Sequence, residues 1–245
     1  MTMMRKQGIF CGAMLLGLTL GPAAQAAPEP SPIPTSWELS IAPSLPMRIQ
    51  VDLGSGPKTF WYVLYTVTNN TDQDIDFDPE IVRVSEIESE VPADKAAAMP
   101  DLAPKIMVDP AIVGVHPKLF AAIKKRHAKT HPFLVTPIKA ITRLRQGKDN
   151  ALTSVIVFPD LDPRISKFTI YFGGLSGERV IQRNPAYNAT LAAAKKKPDD
   201  DTREPSNPKF FVLRKTLAMP YTLPGDVNTR RYATPAPGRL EWVMR

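Results

Sequence analysis

Few side chains in this sequence stand at spacings that chemistry could use. His127 and His131 are four residues apart, which on a helix would turn both imidazoles to one face for a metal. His131 precedes Pro132, however, and is biased away from helical geometry. No glutamate follows His127 as the metalloprotease pattern requires, and His116 is the only other histidine. The pair reads as the solvated end of a basic helix. Asp72, Asp74, Asp76 and Asp78 suggest calcium, but an EF-hand loop started at Asp72 would need glycine at Phe77 and glutamate at Arg83. A wet strand face accounts for the four aspartates, with an irregular calcium site in a sandwich loop as the alternative.

Residues 54–59 end like a phosphate-binding loop, yet glycines are missing where Asp52 and Pro57 stand, and a strand follows instead of a helix. They form a turn. Ser176, in Gly173-Gly174-Leu175-Ser176-Gly177, lacks the second glycine of a nucleophile elbow because Glu178 occupies it. Asn69-Asn70-Thr71 and Asn188-Ala189-Thr190 match glycosylation sequons and read equally well as turns. Trp61, Tyr62 and Tyr65 could stack on sugars, but their place in a central strand favours core packing. No catalytic residue, metal site or cofactor is expected, and no specific binding residue stands out. One feature of interest remains, a basic helix over residues 117–129. It is opened by Pro117, with Leu119, Phe120 and Ile123 as its apolar stripe and Lys124, Lys125, Arg126 and Lys129 exposed. It could pack on a sheet, or dock on an acidic partner or anionic surface.

The elements that must position these residues are mostly strands. Residues 60–70 alternate as a long strand, with Trp61, Val63, Tyr65 and Val67 on one side and Tyr62, Leu64, Thr66 and Thr68 on the other. The first half is apolar on both faces, which predicts a central strand covered from above and below. Asn69-Asn70-Thr71-Asp72 supplies a turn, and Ile75-Asp76-Phe77 is the expected return. Pro79 should then interrupt pairing and shift the phase, so that Val82 and Val84 carry the next apolar face. Short alternating strands are also read at Trp37/Leu39/Ile41, at Met47/Ile49/Val51/Leu53, at residues 153–158, at Phe168/Ile170/Phe172, at residues 210–217 and at Leu240/Trp242/Met244. Residues 88–135 break this rhythm as a partly helical insertion, aperiodic from Pro92 to Pro110. Thr136-Pro137 opens either a second short helix or a strand. Residues 192–208 have the composition of a mobile loop.

Residues 1–26 read as a secretory signal peptide. Arg5 and Lys6 precede the apolar residues 9–20, and Ala24-Gln25-Ala26 forms the cleavage site. Removing Arg5 and Lys6 would lower the formal net charge from +7 to +5, too little for a nucleic-acid footprint. The one cysteine, Cys11, leaves with the leader, which excludes disulfides, thiolate catalysis and cysteine metal sites from the exported product. Residues 27–36 are a proline-rich lead-in, extended and solvated. Residues 37–245 are expected to form one β-sandwich domain.

Tyr65-Thr66-Val67-Thr68-Asn69-Asn70-Thr71 followed by Ile75-Asp76-Phe77 resembles the V-x-V-x-N-x-T hairpin of immunoglobulin-like domains in bacterial exported proteins. Tyr65 stands where that pattern has its first valine. Gln146-Gly147-Lys148-Asp149-Asn150, Val155-Ile156-Val157-Phe158-Pro159 and Phe168-Thr169-Ile170-Tyr171 are similar to a later segment of the same domains. The resemblance covers residues 60–87 and 146–172 and implies a fold, an immunoglobulin-like antiparallel sandwich, without implying an activity. The expected product is an exported, periplasmic or extracellular, non-catalytic binding or scaffolding domain of the envelope. Its expected partner is another envelope protein or an acidic surface polymer, with no nucleic acid and no transmembrane segment after cleavage. The alternative is an envelope hydrolase with a carboxylate-based site formed by residues 88–135.

Overall fold

The organising strand, β3 (Pro57–Thr68), is apolar on both faces because both are covered. In the computed structural model, Trp61, Val63, Tyr65 and Val67 point into the space between two sheets, while Tyr62 and Leu64 point the other way into a second apolar cluster. All six are at most 4% exposed. The structure describes residues 28–87, 105–188 and 208–245. The expected leader, residues 88–104 of the insertion and the loop at 192–207 lie outside them.

Each edge of β3 is occupied. β8 (Leu152–Pro159) runs antiparallel along one edge, with Trp61 opposite Phe158 and Val67 opposite Leu152. The other edge is shared end to end by β1 (Ser40–Pro43) and β2 (Met47–Asp52). Between these two, the Ser44 amide donates to the Leu64 carbonyl at 2.7 Å.

The facing sheet runs in the order β10 (Arg179–Arg183), β11 (Phe210–Thr222), β9 (Lys167–Gly173), β5 (Glu80–Ile87), β6 (Lys105–Pro110), all antiparallel. β12 (Ala236–Pro237) and β13 (Glu241–Met244) also pair with β11. A small ladder joins β4 (Ile75–Phe77) to β7 (Thr142–Leu144). The interior between the sheets is filled from both sides, by Ile156, Phe158 and the odd residues of β3, and by Phe168, Ile170, Phe172, Leu217, Met219 and Tyr221. The architecture is an all-β sandwich, with side chains of alternate residues forming its core.

Between β9 and β10, residues 174–177 loop out of the strand line, and pairing to β11 resumes where the Lys215 amide donates to the Glu178 carbonyl at 2.9 Å. The loop receives the segment ahead of β1: Leu39 N–H donates to Leu175 O at 2.8 Å and Gly177 N–H to Trp37 O at 3.0 Å. Gly174 makes the excursion possible. Its φ is +83°, and a Cβ there would lie 2.5 Å from the Asp78 carbonyl oxygen. Both the left-handed backbone and the contact penalise any side chain, so Gly174→Ala is expected to lower unfolding stability by roughly 2 kcal/mol or more in a urea titration. A loss under 0.5 kcal/mol would mean that the loop has room to relax.

Several expectations are corrected. The return strand Ile75–Phe77 does not pair with β3 but with β7, because the chain is crossing to the other sheet. The phase does not shift at Pro79: Arg83, Ser85 and Ile87 are buried, with Ile81 packed on the core, while Val82 and Val84 lie on the less buried face. Residues 105–110 are not aperiodic insertion but the end strand of the larger sheet. The lead-in is not free in solvent at Ser31, whose amide donates to Glu178 Oε1 at 2.8 Å. The strand beginning at Phe210 runs on to Thr222 through Pro220. Proline is tolerated there because its carbonyl, and so its missing N–H, faces the junction between β12 and β13, where Gly238 N–H donates to Pro220 O at 2.8 Å.

Candidate binding surface

Residues 110–148 contain no aspartate or glutamate, yet hold nine lysines and arginines and all three histidines. The other residues hold 22 Lys and Arg against all 24 Asp and Glu, so the positive excess of the chain lies entirely in this segment. In the structure its residues 112–140 form a layer over the outer face of the smaller sheet, whereas Thr142–Leu144 pairs with Ile75–Phe77 and Leu144 enters the core between the sheets.

Helix α1 (Pro117–Arg126) anchors the layer. Pro117 takes the first helical position, where its missing N–H breaks no bond, and His116 Nδ1 accepts from the Lys118 amide at 3.2 Å. Lys124, Lys125 and Arg126 crowd the last turn, where the helix dipole favours cations. Leu119 and Ile123 are buried against Tyr62, Leu64, Val155 and Val157, with Met47, Ile49 and Val51 of β2 beside them. Burying two such aliphatic side chains is worth roughly 1.5–3 kcal/mol each, which holds the helix to the sheet. Helix α2 (Pro137–Ala140) begins at Thr136, whose Oγ1 accepts from the Lys139 amide at 3.4 Å. The connection to it is fastened to β8 where Val135 N–H donates to Thr153 O at 3.0 Å.

With Leu119, Ile123 and Leu134 turned inward, the layer shows Lys118, Lys124, Lys125, Arg126, Lys129 and Lys139 to solvent. Apolar groups stand among them: Phe133 is 86% exposed, and Ile138 and Ile141 are exposed as well. No ion pair within the described residues engages Lys118, Lys124, Lys125 or Lys129. Such a surface can hold carboxylates or phosphates at its cations and apolar moieties between them.

The histidines belong to the layer. His127 Nε2 shares a 2.9 Å hydrogen bond with the buried Tyr62 hydroxyl, and the His127 and His131 rings meet edge to face at 5.9 Å. Burial, His131 and Arg126 together hold the His127 pKa below the ordinary imidazole value, and burial pushes that of Tyr62 up. Among the described residues no three His, Cys, Asp or Glu side chains gather as metal ligands, those around Asp72–Asp78 included. Asp74 instead faces Arg143 at 3.8 Å. Trp61 and Tyr65 are core residues, and Asp52 Oδ1 accepts from the amides of Gly54 and Gly56 to close a turn. Ser176 Oγ accepts from the Glu178 amide at 3.2 Å. Among the described residues, no helix is long and apolar enough to cross a membrane.

Sequence reasoning missed two charged residues that the core accepts. Arg83 is 1% exposed; its Nε and Nη2 donate to Asp109 Oδ2 at 3.1 and 2.7 Å, its Nη1 donates to Pro159 O at 3.0 Å, and its guanidinium lies 5.0 Å from the Phe158 ring centre. Lys215, 3% exposed, reaches Glu38 Oε2 at 2.9 Å and Glu178 Oε2 at 3.4 Å beside the Trp242 ring. It borders a cleft of about 700 Å³ between the lead-in and β13. The Ser31 amide and the Lys215 ammonium hold Glu178 below the usual carboxylate range. The Lys215 pKa is raised because its carboxylate partners outweigh the burial that pulls it down. Each group is thus driven deeper into its charged form, the opposite of a poised acid or base. A charged residue standing in the apolar phase of a strand, as Arg83 does between Ile81 and Ile87, is the signal that could have located them.

No protein family, no curated protein and no solved structure matches this chain.

Proposed function

We propose that this chain is an exported, non-catalytic binding protein of the bacterial envelope whose basic layer engages an acidic surface polymer. The observation that carries this reading is that the acid-free stretch, residues 110–148, places α1, Phe133 and α2 as one cationic face over the smaller sheet. The two antiparallel sheets, with connections crossing between them, support the immunoglobulin-like reading of the sandwich. The alternative, a carboxylate-based hydrolase with a site formed by residues 88–135, would draw on Glu88, Glu90, Asp94 and Asp101, which lie outside the described residues, and on Asp109, which Arg83 occupies.

The test is binding of the protein to an immobilised carboxylated polysaccharide such as alginate across a salt series. Binding should weaken as salt rises. Each cation near an anionic surface is worth about 1 kcal/mol, so the combined Lys124→Glu, Lys125→Glu and Lys129→Glu variant should bind about 100-fold more weakly or worse. The same charge change on the other sheet, Arg179→Glu with Arg183→Glu and Arg214→Glu, should cost far less. Equal losses would reduce the effect to net charge and refute a dedicated face, as would tighter capture by duplex DNA than by the polysaccharide.

A further inference from the structure

We propose that β6 is a self-pairing edge through which two copies of this chain join their larger sheets into one. This goes beyond the polymer-binding reading and does not depend on it. β6 ends its sheet, and among the described residues no strand pairs with its outer edge. The pairing to β5 continues where Ala111 N–H donates to Ile81 O, so the odd-numbered residues of β6 direct their backbone groups toward β5. The N–H and C=O groups of Ile106 and Val108 therefore point outward. Their side chains are 72% and 55% exposed, an unusually apolar surface for an edge that Pro110 blunts at its end.

The strand is complementary to itself. A twofold axis at Met107 sets Ile106 opposite Val108 of a second copy, giving four backbone hydrogen bonds and a four-residue apolar patch on the outer face. The same register sets Lys105 opposite Asp109 of that copy. Arg83 takes only Oδ2 of Asp109, and no hydrogen bond within the described residues engages Oδ1. Lys105 has no ion pair within the described residues. Both ends of the strand thus offer opposite charges across the axis, an isologous contact that closes at two copies. A register shifted to Val108 would keep the backbone bonds but lose both charge pairs.

Cysteine crosslinking reads the register directly, in a background where Cys11 is replaced by serine. At the axis, Met107 would face its symmetry mate as a non-hydrogen-bonded pair with Cα atoms about 4.5 Å apart, within disulfide reach. Met107→Cys should give a disulfide-linked dimer on mild oxidation. Ile106→Cys should not, because its symmetry mate lies two residues away along the strand. The unmodified chain should show a concentration-dependent dimer in analytical ultracentrifugation, severalfold weakened by Lys105→Glu. Equal crosslinking at residues 106 and 107, crosslinking at Val108→Cys instead, or a monomer at every concentration up to about 1 mM, the millimolar end of weak association, would overturn the proposal.

Discussion

Arg83→Ala is expected to destabilise the fold by about 3–5 kcal/mol, the range for removing one partner of a buried ion pair. The guanidinium satisfies Asp109 Oδ2 twice and the Pro159 carbonyl once, and its stem fills a core-facing position of β5. Truncation would leave a carboxylate and a carbonyl short of donors and a void beside Phe158. Burial lowers the Arg83 pKa, with Asp109 opposing it, but a guanidinium keeps its proton throughout the accessible range. The loss should therefore be nearly constant from pH 5 to 9. Arg83→Lys should recover only part of it, since a point ammonium cannot reproduce the planar fork. The double change Arg83→Met with Asp109→Leu should recover more, because no charge remains to be paired. Urea midpoints for the four proteins decide the matter; a cost for Arg83→Ala below 1 kcal/mol would show that this pair contributes little.

The second large effect belongs to Lys215. With Lys215→Met the carboxylates of Glu38 and Glu178 face each other without their cation, and a loss of about 3 kcal/mol is expected at pH 7. Its pH dependence identifies the cause. In the natural protein the Glu178 pKa is depressed, first by the Ser31 amide and then by Lys215. That contribution is complete above the ordinary carboxylate range and is lost as pH falls through the folded-state value. Lys215 has a raised pKa, so its own contribution holds at neutral pH and fades only as pH rises past the ordinary lysine range. Without the ammonium, the carboxylates gain from protonation, so the penalty of Lys215→Met should shrink as the solution is acidified toward pH 4. Adding Glu178→Gln should restore part of the stability at pH 7. A penalty that stays the same from pH 7 to pH 4 would assign the loss to packing against Trp242 alone.

Much of the fold was legible because side chains in a two-layer sandwich alternate with period two. Trp61, Val63, Tyr65 and Val67 read as one face, as did Phe168, Ile170 and Phe172, and these are core residues. The double-sided apolar pattern of β3 gave notice of a second layer, supplied by Leu119 and Ile123. β5 failed that reading for a physical reason. Alternation locates the apolar phase, and there the half-buried Val82 and Val84 outvoted a core phase carrying Arg83 and Ser85. The pairing of Ile75–Phe77 with Thr142–Leu144 was equally hidden, since a turn between strands does not state whether the chain folds back or crosses to the facing sheet. Of the candidate surface, α1 and its lysines were readable from Pro117 onward, but the gathering of α1, Phe133 and α2 into one layer was not.

Residue order alone determined the strand-rich class, the phase of most strands and the concentration of cations between Pro110 and Lys148, because each depends only on neighbours along the chain. Tertiary structure decided which buried charge meets which carboxylate: Arg83 finds Asp109, and Lys215 finds Glu38 and Glu178. Those partners are brought together by strand register across two sheets, and a buried charge is tolerable only where that register delivers its counterion.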